Sequence, residues 1–491
     1  MSAQKKTVDP GNSGQEDFPK VLSTREKIAY GVGDLGNNFM FEMGQFYLLK
    51  YFTDVVWLPA ASAGLVFLVA KVWDAFADLG VGTWIDNQKH ISKRGKFRPF
   101  IIFAALPLAL LLVANFSVPN FSLNGKEIWA YVTYILFGTV FSVVNIAFGS
   151  MAPAMTKNST ERADLASART IGTNVGTMIT TIAYMPIVLL LPTEQMGYTV
   201  GAIIFAAAGV LSYVFCYFNT KENYHQDKFA REHQDITESD SMAKRGFKEI
   251  LHSYGAIFKN GPLLMLCFAN LFTFSAYNVK LAVQFYFAQY VLHNINIVSY
   301  MSFFTIGASI VAAFTVPHFV KRLGNKKTYM LGCAIWGVSD LLGFFFVHSA
   351  ISFTLYTMGS YFGNGMITVL NVKFIADAVE YGEWKTGFRS EGVTYSSYTF
   401  FRKLSQAMAG MIPGFVLAMV GYVPNVQQTA QALLGIRGLV FIYPVAMAIL
   451  TVILMSFYPL TNEMYDKIMI ELNERHAKAK ARLQEQKKDN E

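Results

Sequence analysis

Twelve runs of about 20 mostly apolar residues, the length an α-helix needs to cross a bilayer, constrain this chain more than any other feature. They lie near residues 28–52, 60–84, 99–117, 128–154, 165–191 and 198–218, then near 263–292, 298–320, 328–347, 351–379, 392–420 and 433–459. With 53% hydrophobic and only 15% charged residues in 491, the chain holds more apolar material than a soluble core of this size could bury. The bilayer is the expected solvent, and the expected fold class is an all-α membrane protein of twelve transmembrane helices.

The distribution of charge sets the expected topology. A net charge of +8 could suggest a nucleic-acid partner, but the basic residues fall in short clusters between apolar runs and form no continuous stripe. The loop after the second run carries Lys89, Lys93, Arg94, Lys96 and Arg98, and that after the eighth carries Lys321, Arg322, Lys326 and Lys327. The loops on the other side, near 53–59, 118–127, 192–197, 293–297, 348–350 and 421–432, hold Lys126 alone. By the positive-inside rule the basic loops and both termini face the cytoplasm.

The two basic loops occupy the same place in each half, so the chain reads as two six-helix repeats. The expected units are a cytoplasmic tail 1–27, a bundle 28–218, a cytoplasmic loop 219–262, a second bundle 263–459 and a cytoplasmic tail 460–491. Repeats of this kind place their site near mid-membrane between the halves. Met1–Leu22 lacks the apolar core of a cleaved signal peptide. The residues after Thr461 alternate Lys, Glu, Arg and Ala and are expected to form a solvated helix.

Catalytic and cofactor signatures are absent from the sequence. Cys216, Cys267 and Cys333 each stand in an apolar stretch without CxxC or metal-ligand spacing, and the eight histidines fall in tails, loops or near span ends. There is no HExxH and no nucleophile elbow. Neither an enzyme nor a haem or metal cofactor is expected.

What remains are ionisable groups inside apolar runs, each costing several kcal/mol unless it faces a polar interior. Lys71, Asp74 and Asp78 stand three and four residues apart in the second run, so all three share a helix face. Neighbouring carboxylates repel, which makes the pair able to hold a proton, and their oxygens also suit Na+. A salt bridge to Lys71 would need one acid rather than two, so the face reads as a site for a coupling cation. In the first run Asn38, Glu42 and Gln45 form a polar strip. Glu42 either takes part in binding or pairs with a lysine such as Lys280 or Lys403. Asn145, Arg169, Arg402 and Lys403 add further polar groups at membrane depth. Tyr398 and Thr399, beside Lys403, supply the hydroxyl donors and acceptors and the ring face that sugars need. Asp340, Lys373 and Asp377 read equally well as structural pairs, and Arg94, Lys96 and Arg98, with Asp86 nearby, as gating or topology residues.

The segments YGVGDLGNNF at 30–39, YFTDVVWL at 51–58, LVAKVWDAFADLGVGTWIDN at 68–87, KRGKFRPF at 93–100, DAVEYGEWKTGFRSEG at 377–392 and GYVPNVQQTAQALLG at 421–435 together resemble the glycoside-pentoside-hexuronide:cation symporters, of which melibiose permease is a member. The resemblance spans nearly the whole chain. It implies a major-facilitator fold of two pseudo-symmetric six-helix bundles, with no cofactor and with a sugar and H+ or Na+ as partners. It also implies a cation site at Asp74 and Asp78 assisted by Ser142, where the two acids would be metal ligands in the Na+-coupled case. The implied sugar site comprises Asn38, Asn145, Arg169, Thr399 and Lys403.

Departures from melibiose permease refine the expectation. An asparagine there stands where this chain has Ala77, which favours H+ over Na+. Two aspartates there correspond to Asn38 and Asn145, and a tryptophan to Gly149, which implies a different sugar. The overall look is closest to pentoside carriers such as xyloside permeases; an Na+-coupled galactoside or glucuronide symporter is the alternative. A drug or lipid transporter of this fold would need an apolar cavity, and the polar strip opposes it. About thirty residues follow the last run, so regulation through the phosphotransferase system would require a separate protein.

Overall fold

The computed structural model describes residues 22–86, 95–156, 158–222, 260–387, 391–461 and 464–475. Twelve long helices account for most of them. The first half holds α1 (Thr24–Phe46), α2 (Ala60–Asp86), α3 (Arg98–Asn115), α4 (Leu123–Met155), α5 (Ser159–Leu189) and α6 (Glu194–Asn219). The second holds α7 (Gly261–Tyr290), α8 (Ile297–Leu323), α9 (Asn325–Phe346), α10 (Ala350–Thr386), α11 (Glu391–Met419) and α12 (Ala430–Ser456). Each matches an apolar run of the sequence to within a few residues.

Local signals set the ends. Ser23 and Glu26 close a capping box at the start of α1, Asn158 caps α5, Thr193 caps α6 and Asn260 caps α7. Gly324, at φ 79°, makes the tight joint between α8 and α9 that a side chain would strain. Beyond α1 the chain continues through Leu48–Lys50 into a widened π-type turn, Tyr51–Val55.

Helix pairing shows the repeat directly. In the first half α1 packs on α5 and α6, α2 on α4, and α3 on α4 and α6. The second half repeats every pair six helices later: α7 on α11 and α12, α8 on α10, and α9 on α10 and α12. Contacts between halves obey the same rule, since exchanging the halves turns α2 on α11 into α8 on α5. Glycines allow the close approaches: a methyl at Gly172 would overlap the carbonyl of Gly31, and Gly64 of α2 lies against Gly410 and Gly414 of α11.

Among the described residues nine of these helices are long and apolar enough to cross a membrane on their own composition. The others, α1, α10 and α11, carry buried or half-buried polar residues such as Asp34, Asn38, Glu42, Asn371, Asp377, Arg402 and Lys403. Their low hydropathy marks polar faces turned toward the protein interior.

The end of the bundle that carries both termini is tied down from within each half. Glu222, just after α6, accepts from the backbone N–H groups of Lys96 at 2.8 Å, Phe97 at 3.0 Å and Arg98 at 2.7 Å. Lys326 donates to the carbonyl of Ser456, the last residue of α12, at 2.8 Å and to that of Tyr458 just beyond it at 2.9 Å, where a cation favours the helix dipole. Lys89, Lys93 and Arg94 lie outside the described residues, as do 1–21, most of the central loop and the tail after 475.

The helix at 464–475 corrects one expectation: it is docked, not solvated. Met464, Ile468 and Leu472 recur every four residues and make an apolar stripe, with Ile468 and Leu472 buried. Glu471 accepts from the Trp384 indole at 2.7 Å, and Tyr465 donates to Glu380, fastening the helix to the end of α10.

Candidate functional site

Buried and half-buried polar residues form two clusters that meet on α4, the first shared between the halves and the second within the first half. In the first, Lys71 stands 3.3 Å from Asp74 Oδ2, one turn along α2. One turn further, Asp78 accepts from Ser142 of α4 through Oδ1 and pairs through Oδ2 with Lys403 of α11. That ion pair crosses from one half to the other, and Lys403 also lies within electrostatic reach of Asp74 and Lys71. The Lys71 ammonium sits over the rings of Phe41 at 5.3 Å and Tyr134 at 5.6 Å, which keeps water from its far side.

Asp74 owes its position to a missing side chain. Gly138 of α4 faces it, and a Cβ there would overlap Asp74 Oδ1. With Oδ2 turned to Lys71, Oδ1 is buried and has no hydrogen-bond partner. Orphaned buried acceptors are costly, and this one lies beside a second carboxylate and two ammonium groups.

The second cluster joins α1, α4 and α5. Asp34, 1% exposed, accepts from Arg169 Nε at 3.1 Å, from Asn38 Nδ2 at 3.2 Å and from the Thr173 hydroxyl. Asn38 also donates to the Asp34 carbonyl at 2.8 Å. Nη2 of the Arg169 guanidinium reaches Asn145 Oδ1 at 3.5 Å, and the group lies over Phe148, 5.6 Å away. Gly149 borders this space, with Arg169 Nη1 3.7 Å from where a Cβ would stand.

Glu42, one turn beyond Asn38 on α1, accepts from Thr177 of α5 at 3.1 Å. Neither lysine weighed as its partner is available, because Lys280 pairs with Asp340 and Lys403 with Asp78. Tyr277 of α7 and Tyr361 of α10, whose rings lie 5.6 Å apart, come within electrostatic reach of it from the second half.

The structure therefore brings together Lys71, Asp74, Asp78, Ser142 and Lys403, and separately Asn38, Asn145 and Arg169, and leaves Glu42 one turn beyond Asn38 with Thr177. Thr399 is half-buried, one turn from Lys403 on α11. Tyr398 is not brought to either cluster: it is buried with Leu266, Ala269 and Tyr329 in the core of the second half, and its carbonyl accepts from Asn270 at 3.5 Å. It lies about 100° around α11 from Thr399, which turns it toward α7. Asp340 and Asp377 are held by Lys280 and Lys373, the structural pairing weighed for them.

Two acids escaped the sequence reading. Asp34 extends the strip of Asn38 and Glu42 one turn back, so the same four-residue spacing could have found it. Asp54 had no such signal. It is 1% exposed on the π-type turn after α1, paired with Lys50 and Thr53. From the second half Tyr290 donates to it at 3.0 Å and Tyr422 at 2.6 Å, while Asn425 donates to its carbonyl at 2.6 Å. Thr53 and Tyr286 add a hydroxyl pair at 2.8 Å. This network joins the halves at the end opposite the termini.

Residues 29–462 match the family described as MFS/sugar transport protein. A protein of Salmonella typhimurium named as an exporter of 2,3-dihydroxypropane-1-sulfonate is 43% identical over 92% of this chain and 96% of its own. One of Escherichia coli named as a sulfoquinovose importer is 42% identical over 94% of this chain and 96% of its own. Among solved structures, the nucleoside transporter NupG superposes with a TM-score of 0.62 at 13% identity, over 87% of this chain and 99% of that one, a likeness of fold.

Proposed function

The chain belongs to the sugar-transport family of the major facilitator superfamily, among the glycoside-pentoside-hexuronide:cation symporters, and from that premise we propose that it carries a glycoside across a bacterial cytoplasmic membrane in symport with a cation, a proton before Na+. It is a transporter and not an enzyme. The termini and the basic loops are assigned to the cytoplasm, so the Asp54 network shuts the outer side.

The observation that carries this reading is the sharing of Lys403 across the halves beside the orphaned Asp74 Oδ1. A cation arriving at Asp74 and Asp78 neutralises the carboxylates and weakens their hold on Lys403. The released ammonium can then turn to a sugar hydroxyl beside Thr399, so that binding of the cation favours binding of the sugar. Each ligand differs in affinity between the two orientations of the halves, and joint occupancy shifts that equilibrium. Arg169, held by Asp34, and Asn145 offer donors and an acceptor from the first half, and Glu42 an acceptor opposite Tyr277 and Tyr361. Ala77, before Asp78, brings no amide to a metal ion, which supports the proton.

A xyloside disaccharide is the neutral cargo that the resemblance favours, and sulfoquinovose is the acidic one named by a relative. Uptake of each into proteoliposomes, under an imposed pH gradient or an imposed Na+ gradient, tests the reading. Accumulation driven by pH supports it, accumulation driven only by Na+ reverses the choice of cation, and uptake of neither sugar under either gradient sinks it. Asp78→Asn should abolish accumulation while exchange of internal for external sugar continues; accumulation by that variant would remove Asp78 from the coupling.

A further inference from the structure

Six acids of the spans and their ends stand against a cation: Asp34 with Arg169, Asp54 with Lys50, Asp74 with Lys71, Asp78 with Lys403, Asp340 with Lys280 and Asp377 with Lys373. Glu42 does not share that arrangement. Among the described residues no lysine, arginine or histidine comes within ion-pair distance of it, and its carboxyl group has the Thr177 hydroxyl at 3.1 Å. It stands near the middle of the helical stretch from Thr24 to Val55, the depth at which an unpaired charge is most costly.

The groups around Glu42 supply no counter-charge. From the second half Tyr277 of α7 and Tyr361 of α10 come within electrostatic reach, and phenols carry no positive charge. Lys71 of α2 sits over the ring of the neighbouring Phe41 but is turned to Asp74. Arg169 of α5 is held by Asp34, and Tyr213 of α6 donates to Asn37. A carboxylate placed in this way can escape the cost of its charge by taking up a proton, and the neutral acid then donates a hydrogen bond as well as accepting one. Glu42 is half-buried, with Thr177 on its own side and the two tyrosines across from it, so its carboxyl group borders the space between the halves.

We propose that Glu42 is a second proton-binding site, separate from Asp74 and Asp78, and that each sugar travels with two protons. The inference rests on the symport reading and adds a stoichiometry to it. A proton from the outer water joins the carboxylate and leaves to the cytoplasm, while no bond of the sugar changes. The protonated side chain offers a sugar hydroxyl both a donor and an acceptor, so proton and sugar each favour the binding of the other.

The test counts protons in proteoliposomes in Na+-free medium with the membrane potential clamped at zero, using whichever of the xyloside disaccharide and sulfoquinovose is taken up. At equilibrium one proton per sugar supports about tenfold accumulation for each unit of pH gradient, and two support about a hundredfold. The wild-type protein should reach the second value, Glu42→Gln the first, and Glu42→Asp, which keeps an acid, the second again. A wild-type ratio of one proton, or two protons in Glu42→Gln, overturns the inference; a raised KM in Glu42→Gln with two protons retained would make Glu42 a hydrogen-bond acceptor for the sugar and nothing more. Infrared spectroscopy gives a readout that needs no transport: the carbonyl band of a protonated carboxyl group in the wild-type protein should vanish in Glu42→Gln, and a spectrum identical in the two overturns the inference. Absence of accumulation of either sugar under any gradient overturns the symport reading, and the infrared band then decides the proton at Glu42 by itself.

Discussion

Two carboxylate–lysine clusters lie inside the same bundle and are built to opposite ends. In the second half Asp340 accepts from Lys280 and Ser360 through Oδ1 and from the Trp336 indole at 2.9 Å through Oδ2. The Lys280 and Asp340 side chains are 2% and 0% exposed, and every partner belongs to the same half. At Asp78 and Lys403 the side chains are 27% and 20% exposed, the bond crosses the halves, and the neighbouring Asp74 keeps an oxygen without a partner. A fully satisfied pair within one half can ride through a transport cycle unchanged. A partly satisfied pair between halves has to exchange partners when the halves move. On the proposed reading, satisfaction and connectivity, more than the presence of an intramembrane charge, separate structural acids from working ones.

The largest expected effect breaks or upholds that contrast directly. Lys280→Met strands the Asp340 carboxylate and should lower stability by about 3–5 kcal/mol, the usual cost of removing one partner of a buried pair. Because Cys216, Cys267 and Cys333 are all buried, a thiol-reactive dye reports the melting temperature. Lys403→Met should melt close to wild type yet fail to accumulate sugar. Exchange of these two phenotypes would destroy the distinction, while recovery of melting in Lys280→Met/Asp340→Leu would strengthen it.

A smaller effect probes Asp74. In Gly138→Ala the new methyl drives into Oδ1, and overpacking of this kind typically costs 1–3 kcal/mol, so gradient-driven accumulation should fall by about tenfold. Exchange of sugar should persist, as for Asp78→Asn. Undiminished accumulation would show that Asp74 can hold the cation from another position.

The smallest effect sharpens the comparison with a third acid, one both satisfied and shared between halves. Asp54→Asn keeps the shape of the outer network but removes the charge from its hydrogen bonds with Tyr290 and Tyr422, worth about 1 kcal/mol. The outer side should then open more often. A cysteine at Ala60, which packs against the second half, should react several-fold faster with an impermeant maleimide, roughly fivefold for that energy. An unchanged rate would make Asp54 a structural acid like Asp340.

Much of this protein was legible one residue at a time. Apolar runs located all twelve helices, because a membrane span must be long, apolar and internally hydrogen-bonded whatever its neighbours do. Spacing placed Lys71, Asp74 and Asp78 on one face, since three- and four-residue steps are neighbours on any helix. The matching basic loops announced the six-helix repeat that the helix pairings display. The low hydropathy of α1, α10 and α11 was already visible as the residues that did not suit lipid.

Pairing across sequence separations of 60 to 370 residues belonged to the tertiary structure alone. Lys403 chose Asp78 over Glu42, and Lys280 chose Asp340, because the crossing of α2 with α11 and the packing of α7 against its own half decide which charges meet. The sequence names both members of each pair but contains no distance between them. The same holds for Tyr398, turned into the core by the rotation of α11, and for Asp54, whose partners Tyr290 and Tyr422 come from the other half. In lipid a helix can be read from its own residues because its backbone bonds are local; the fate of its charges cannot, because the partner that makes a buried charge affordable comes from whichever helix the fold sets beside it.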